Sequence, residues 1–467
     1  MTAVTVSRLG ALFAILFAML VLRQAYVQVI AGPGIAANPY NPRHALLGAH
    51  RGRILASDGT VLAQTSGTKR TYALGGSLAQ TVGYVSARYG TSGLEDAYDR
   101  ALTPPDTTGD TGAQVGEILQ AFTGKSSVSR GADVVTTIVP AIQNELYGLL
   151  AGYSRGAGVV LDPRSGAVLG LASVPTFDPN RLSAEFPSLV HDESSPLLNR
   201  AVNGLYPPGS TFKIFTASAA LDSQTVSMQS TFYDPGYYTI ENFTLHDDEG
   251  EATGTQDLTG AFALSSNVDF GQIALKMGTD TFYRYLDRWG IGSSLDFQLP
   301  ASRDRVPPQS SIVPGELAQM GFGQGALLMT PLQMALVAAT IADGGSEPRP
   351  YIVRRVDWPG GAGSSYGAAE LATPISADTA ENVKKMMVAV VQHGTGTSAQ
   401  LPGVTVAGKT GTATNPLGAP HSWFVCFAPA ENPRVVVAVI VENAGYGAAV
   451  AAPIARNVLR VALNHIK

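Results

Sequence analysis

Residues 9–22 of this chain, LGALFAILFAMLVL, form an unbroken apolar run between Arg8 and Arg23, and no other feature narrows its fold and compartment so much. A run of that length is short for a membrane span and would suit the core of a signal peptide. Apolar character resumes over residues 25–30, however, interrupted only by Arg23 and Gln24, whose long side chains can reach the headgroups. The stretch 9–30 therefore predicts a retained single-pass anchor, with a cleaved signal as the alternative. Arg8 and Arg23 flank it almost symmetrically, so charge says little about orientation. On either reading the bulk of the chain lies outside the cytoplasm, in or on the cell membrane.

The chain has 467 residues, and the part beyond the apolar run is long enough for two or three domains. Only 14% of residues are charged against 45% hydrophobic, so a large core is available. The net charge of −5 argues against a nucleic-acid partner, which calls for a basic face. A single cysteine, Cys426, excludes an internal disulfide framework and any CxxC site, and reads as a strand core residue. No HExxH pair occurs, which speaks against a zinc hydrolase.

Residues 31–44, rich in Pro, Gly and Asn, read as an extended linker. RGRILASDGTVLAQ, residues 51–64, predicts two short strands around the Asp58-Gly59 turn, and 103–112 an exposed loop. The pattern changes near Asp133. Pro140 opens a helix, GVVLD and AVLGLAS form a hairpin around residues 163–166, and residues 196–345 read as helical and Ala-rich. Strands return at 404–407, 422–427 and 435–441, followed by a helix over 453–464. Helices inserted between the first and last strands of an antiparallel sheet make the class α+β. The expected division is an anchor with its tail (1–30), a small non-catalytic pedestal domain (31–132) and a catalytic domain (133–467).

Two of the eight lysines stand in Ser-x-x-Lys, at Ser66–Lys69 and Ser210–Lys213. The first falls in a loop and is read as incidental. The second comes after Tyr206-Pro207-Pro208-Gly209, which resists helix, and opens the apolar stretch TFKIFTASAAL. Ser210 is thus expected at a helix N-terminus, where free N–H groups favour a developing negative charge. Lys213, one turn on, shares its face. Burial beside Ile214 and Phe215 disfavours the ammonium, leaving an amine able to take the serine proton. Ser265-Ser266-Asn267 is the sole Ser-x-Asn in the chain, a hydroxyl and a carboxamide that could relay a proton and hold a peptide amide. Lys409-Thr410-Gly411-Thr412 completes the set. Residues 403–410, GVTVAGKT, also match the P-loop pattern letter for letter, but Val404, Thr405 and Val406 favour strand and Asn415-Pro416 breaks any helix after them. A nucleotide site is therefore not expected.

The three motifs in this order resemble those of penicillin-binding proteins and serine β-lactamases. RGRILASDGTVLA, GTSGLEDAYDRAL, SPLLNRAVNGLYPPGSTFK, GFGQGALLMTPLQMA and HSWFVCFAPA extend the resemblance to class B penicillin-binding proteins, and more narrowly to actinobacterial PBPA-like members, along nearly the whole chain. The resemblance implies a D,D-transpeptidase that cross-links peptidoglycan stem peptides ending in D-Ala-D-Ala. Ser210 would be acylated, Lys213 would be its base, and Ser265 would pass the proton towards the leaving amine. Asn267 would hold a peptide amide, while Lys409, Thr410, Gly411 and Thr412 would bind the substrate carboxylate. The N–H groups of Ser210 and Thr412 would form the oxyanion hole. β-Lactams would acylate Ser210. No metal or organic cofactor is implied, and glycan polymerisation would come from a SEDS-type membrane glycosyltransferase. Two rivals share the motifs. A β-lactamase would need a device for deacylating water, yet neither Glu-x-x-Leu-Asn nor Tyr-Gly-Asn appears in the expected places, although STFKI is similar to class D enzymes. A non-catalytic sensor would bind β-lactams or wall peptides without turnover.

Overall fold

Val435–Val441 is apolar at all seven positions, and the period-two alternation of a strand shows why. Val436, Ala438 and Ile440 enter one core, while Val435, Val437, Val439 and Val441 enter another on the opposite face. This strand is the centre of a five-stranded antiparallel sheet in the order Ala407–Asn415, Gly418–Ala428, Val435–Val441, Gly156–Leu161, Val168–Val174. The computed structural model describes residues 3–26, 50–67, 69–104, 130–241, 243–247, 250–361, 363–416 and 418–466.

Helices Pro140–Leu150 and Ala451–His465 cover one face, placing Ile142, Leu146, Val458 and Leu459 against the odd-numbered valines. The helical subdomain covers the other. Its helix Pro331–Ala342 is apolar on every side and buried over residues 331–341, as a helix without a polar stripe must be. Thr330 caps it by accepting the Gln333 N–H at 3.1 Å. The 140–150 helix, the 156–174 hairpin and the last two strands stand where the sequence places them. The strand expected at 404–407 instead begins at Ala407 and runs on to Asn415.

The middle of the chain is less helical than expected. Thr231–Asp234 pairs with Gly254–Asp257, and Tyr237–Ile240 with Phe243–His246, as two small antiparallel ladders. Left-handed backbone at Gly236 (φ +89°) and Gly254 (φ +73°) breaks any helix there, and TFYD and YYTI are strand-forming sequences.

Below this unit lies a six-stranded sheet in the order Gly363–Ser365, Val353–Asp357, Asp133–Thr136, Ile54–Leu55, Val61–Ser66, Lys69–Tyr72. Asp58 and Gly59 turn the chain between Ile54–Leu55 and Val61–Ser66, as expected. Arg51, fully buried, binds Glu95 at 2.8 Å and Asp99 at 2.7 Å, and Arg70 reaches Glu95 at 2.7 Å. The first helix, Ala3–Ala25, is exposed from residue 8 onward, and Arg8–Ala25 is long and apolar enough to cross a membrane. The remainder of the expected anchor (27–30), the linker (31–44) and most of the 103–112 loop lie outside the described residues.

Candidate active site

The turn Tyr206-Pro207-Pro208-Gly209 delivers Ser210 into a single 3-10 turn, Gly209–Phe212, that continues as the helix Lys213–Asp222. Gly209 has φ +54°, and a side chain there would sit 3.1 Å from Ala413 Cβ, against the strand of the third motif. Across the gap, a side chain on Gly411 would meet Thr211 Cγ2 at 2.9 Å. Two glycines therefore let the serine turn and the Ala407–Asn415 strand lie backbone to backbone. Trp423 Nε1 donates to Pro207 O at 3.0 Å and fixes the turn from the neighbouring strand.

The second motif bridges two helices. Ser265 ends Leu258–Leu264 in a left-handed conformation (φ +66°), rare for a residue with a side chain, and Ser266 caps Asn267–Arg288 through the Asp269 N–H at 2.9 Å. The tight reversal turns the Ser265 hydroxyl toward both lysines. Lys409 Nζ donates to Ser265 Oγ at 2.8 Å, and Lys213 Nζ lies 3.2 Å from the same oxygen. Lys213 Nζ also donates to Asn267 Oδ1 at 2.8 Å and to Ser265 O at 2.5 Å. Both lysine side chains are fully buried, with ammonium groups 5.5 and 5.6 Å from the rings of Phe270 and Phe262 respectively. Two buried lysines thus share one hydroxyl, each with an aromatic ring beside it. The arrangement can move a proton between an amine, a hydroxyl and a group arriving in the cleft.

That cleft, about 260 Å³, is lined by Ser210, Ser265, Thr395, Thr410, Thr412 and Tyr446 among others. The structure thus brings Ser210, Ser265, Thr410 and Thr412 to one opening, with Lys213, Lys409 and Asn267 directly behind. Asn267 is already engaged at both ends of its carboxamide, because Nδ2 donates to His246 O at 3.3 Å. The GKT match forms no phosphate cradle: Lys409 and Thr410 lie inside the edge strand, and a second strand, Gly418–Ala428, succeeds it where a P-loop needs a helix. Ser66 and Lys69 form the tip of a hairpin rather than a free loop. Cys426 is buried in its strand and burial pushes its thiol up, as expected of a core residue. His421 packs edge-on against Tyr206, and its Nδ1 accepts the Asn443 N–H at 3.1 Å, so it is a packing residue.

Three cleft residues escape a reading of the sequence. Thr395 shares a 2.6 Å hydrogen bond with Thr410, from the turn after Ala377–His393. Tyr446 stands across the opening, and Asp247 accepts the Asn267 N–H from behind. Thr395 and Tyr446 lie in HGTGTS and NAGYG, whose glycines signal only turns.

Residues 156–460 match the family described as the penicillin binding protein transpeptidase domain, and residues 51–134 match the penicillin binding protein A dimerisation domain. The chain is 34% identical to peptidoglycan D,D-transpeptidase PbpA of Mycolicibacterium smegmatis, with 98% of each chain covered. Its structure is similar to the D,D-transpeptidase domain of a peptidoglycan glycosyltransferase from Eggerthella lenta (TM-score 0.80, 35% identity, 89% and 99% of the two chains covered). It is also similar to penicillin-binding protein A of M. tuberculosis in its penicillin G acyl-enzyme complex (TM-score 0.80, 32% identity, 89% and 99% covered). Agreement in sequence from end to end, over one shared fold, makes this chain a member of the penicillin-binding protein family, among the PBPA-like class B transpeptidases.

Proposed function

We propose that the chain is a peptidoglycan D,D-transpeptidase working through an acyl-enzyme on Ser210. The observation that carries this reading is the Ser265 hydroxyl held at 2.8 and 3.2 Å from two buried lysines, directly behind the serine cleft. Ser210 Oγ attacks the carbonyl of the penultimate D-alanine of a stem peptide and gives its proton to neutral Lys213. The oxyanion is received by the N–H groups of Ser210 and Thr412. Ser265 passes the proton on to the departing amine, D-alanine leaves, and the amine of a second stem takes the acyl group by the reverse path. Lys409, Thr410, Gly411 and Thr412 hold the terminal carboxylate, and Asn267 positions a peptide amide beside them. A β-lactam enters as a mimic of the same substrate and stays on Ser210. The motifs and their order support this assignment of roles.

The division into an anchor (1–30), a pedestal (31–132) and a transpeptidase domain (133–467) is part of the same proposal. Ala3–Ala25 is placed across the cell membrane once, with the catalytic unit on the extracytoplasmic side, where its substrate is. By the same family resemblance, a SEDS-type membrane glycosyltransferase is the proposed partner for glycan polymerisation. Incubating the full chain with fluorescent penicillin and mapping the adduct tests the reading. A stable adduct on the peptide holding Ser210, together with D-alanine release from a stem-peptide donor, is expected. Rapid turnover of the penicillin would make the protein a β-lactamase instead, and labelling without any D-alanine release would make it a sensor.

A further inference from the structure

Behind the Ser265–Asn267 loop lie three mutually interacting carboxyl groups: Asp234 and Asp269 are fully buried and Asp247 is 9% exposed. Asp234 is well supplied with donors, accepting the Gly236 N–H at 2.7 Å and the Thr253 hydroxyl at 2.8 Å. Asp247 is divided in its duties. Its Oδ1 accepts the backbone N–H of Asn267 and, at 3.4 Å, that of Val268, the first amides of the Asn267–Arg288 helix. Its Oδ2 is buried, and among the described residues no donor reaches it. An ionised oxygen in that position is costly, whereas a proton on Oδ2 turned toward Asp234 removes the difficulty.

We propose that Asp247 is a positioning residue for acylation: its protonated carboxyl, braced on Asp234, grips the Asn267 and Val268 amides and so keeps Ser265 Oγ between Lys213 and Lys409. The idea rests on the reading of Ser210 as the acylated group. Asp247 borders the cleft through the rest of its surface, while Oδ2 faces inward. Burial and the neighbouring Asp234 push Asp247 up to about 7, while hydrogen bonds hold Asp234 below the usual range against its burial. Among the described residues, the other titratable and charged groups facing it are Lys213 from its helix, Asp269 from the Asn267–Arg288 helix, Glu251 at the cleft and the exposed His246 beside it. Loss of the Oδ2 proton sets two carboxylates against each other and loosens the loop. Because the proton is bound in the working state, the grip holds below neutrality and weakens as pH rises through about 7.

The test is the rate of acylation of the full chain by fluorescent penicillin from pH 5 to 9, with melting temperatures alongside. Asp247→Ala removes the acceptor and is expected to slow acylation about ten- to a hundredfold. Asp247→Asn keeps an acceptor oxygen and offers a non-titrating donor to Asp234. It is expected to recover most of that loss and to lack the decline that the parent chain shows above neutrality. Protection of the Asn267 and Val268 amides against hydrogen exchange reads the same contact without acylation, and should fall in the alanine variant and persist in the asparagine one. The proposal is overturned if Asp247→Ala acylates at the parent rate, if Asp247→Asn is as slow as alanine at pH 6, or if its alkaline decline equals the parent's. Should the alanine variant fail to fold, the pH profile of the asparagine variant decides alone. A parent chain that does not label at Ser210, with its amides protected, would remove the underlying reading while leaving the contact itself standing.

Discussion

Ser66 and Lys69 stand opposite each other at the tip of a hairpin, paired in register beside a left-handed Gly67 and exposed to solvent. Ser210 and Lys213 have the same spacing, but a 3-10 turn carries them into a helix buried from Lys213 to Ala220. Lys69, at the hairpin tip, lies in solvent. Lys213 has exchanged water for the oxygens of Ser265 and Asn267 and the face of Phe270. The four-letter pattern by itself is thus chemically silent, and the two copies differ in the environment supplied by residues fifty and two hundred positions away, on which the proposed reactivity of Ser210 rests.

Substitutions at the two sites test that contrast, the most severe first. Ser210→Ala should abolish penicillin labelling altogether with the melting temperature little changed, since its hydroxyl is the proposed site of acylation. Lys213→Ala should lower the acylation rate by about 10²–10⁴-fold, the usual worth of a positioned base, measured by the time course of labelling. Ser265→Ala, which takes away the oxygen between the two lysines, should cost about ten- to a hundredfold in the same assay. Ser66→Ala and Lys69→Ala should leave labelling as it is. If either of these last two, shown folded by its melting curve, failed to label, the contrast would be reversed.

Much of this is legible in the sequence because it depends on local rules. Pro207, Pro208 and Gly209 announce a turn before an apolar helix, and alternation and Gly-rich turns announce the strands, whereas Val404, Thr405 and Val406 signal strand just ahead of where the edge strand begins, at Ala407. The two small ladders over residues 231–257 are not announced in this way, since their few residues gain stability from packing on the Asn267–Arg288 helix rather than from length. Asp247 is equally hidden. An aspartate in HDDEG reads as an exposed turn, and only the fold brings it onto the amide of Asn267, twenty positions on. Lys409 and Ser265 meet across 144 positions, a separation at which no periodicity speaks.

One consequence of the lower sheet concerns how the molecule can be handled. Val353–Asp357, which comes after the helical subdomain, pairs with Asp133–Thr136, and that strand pairs in turn with Ile54–Leu55. A polypeptide started at residue 133 would therefore leave a naked ladder of amides and carbonyls along Val134 and Val135, ready to capture another chain. A truncated version meant to stay monodisperse should begin before Arg51. Backbone pairing through Asp133–Thr136 thus ties residues 54–55 to residues 353–357, nearly three hundred positions further on.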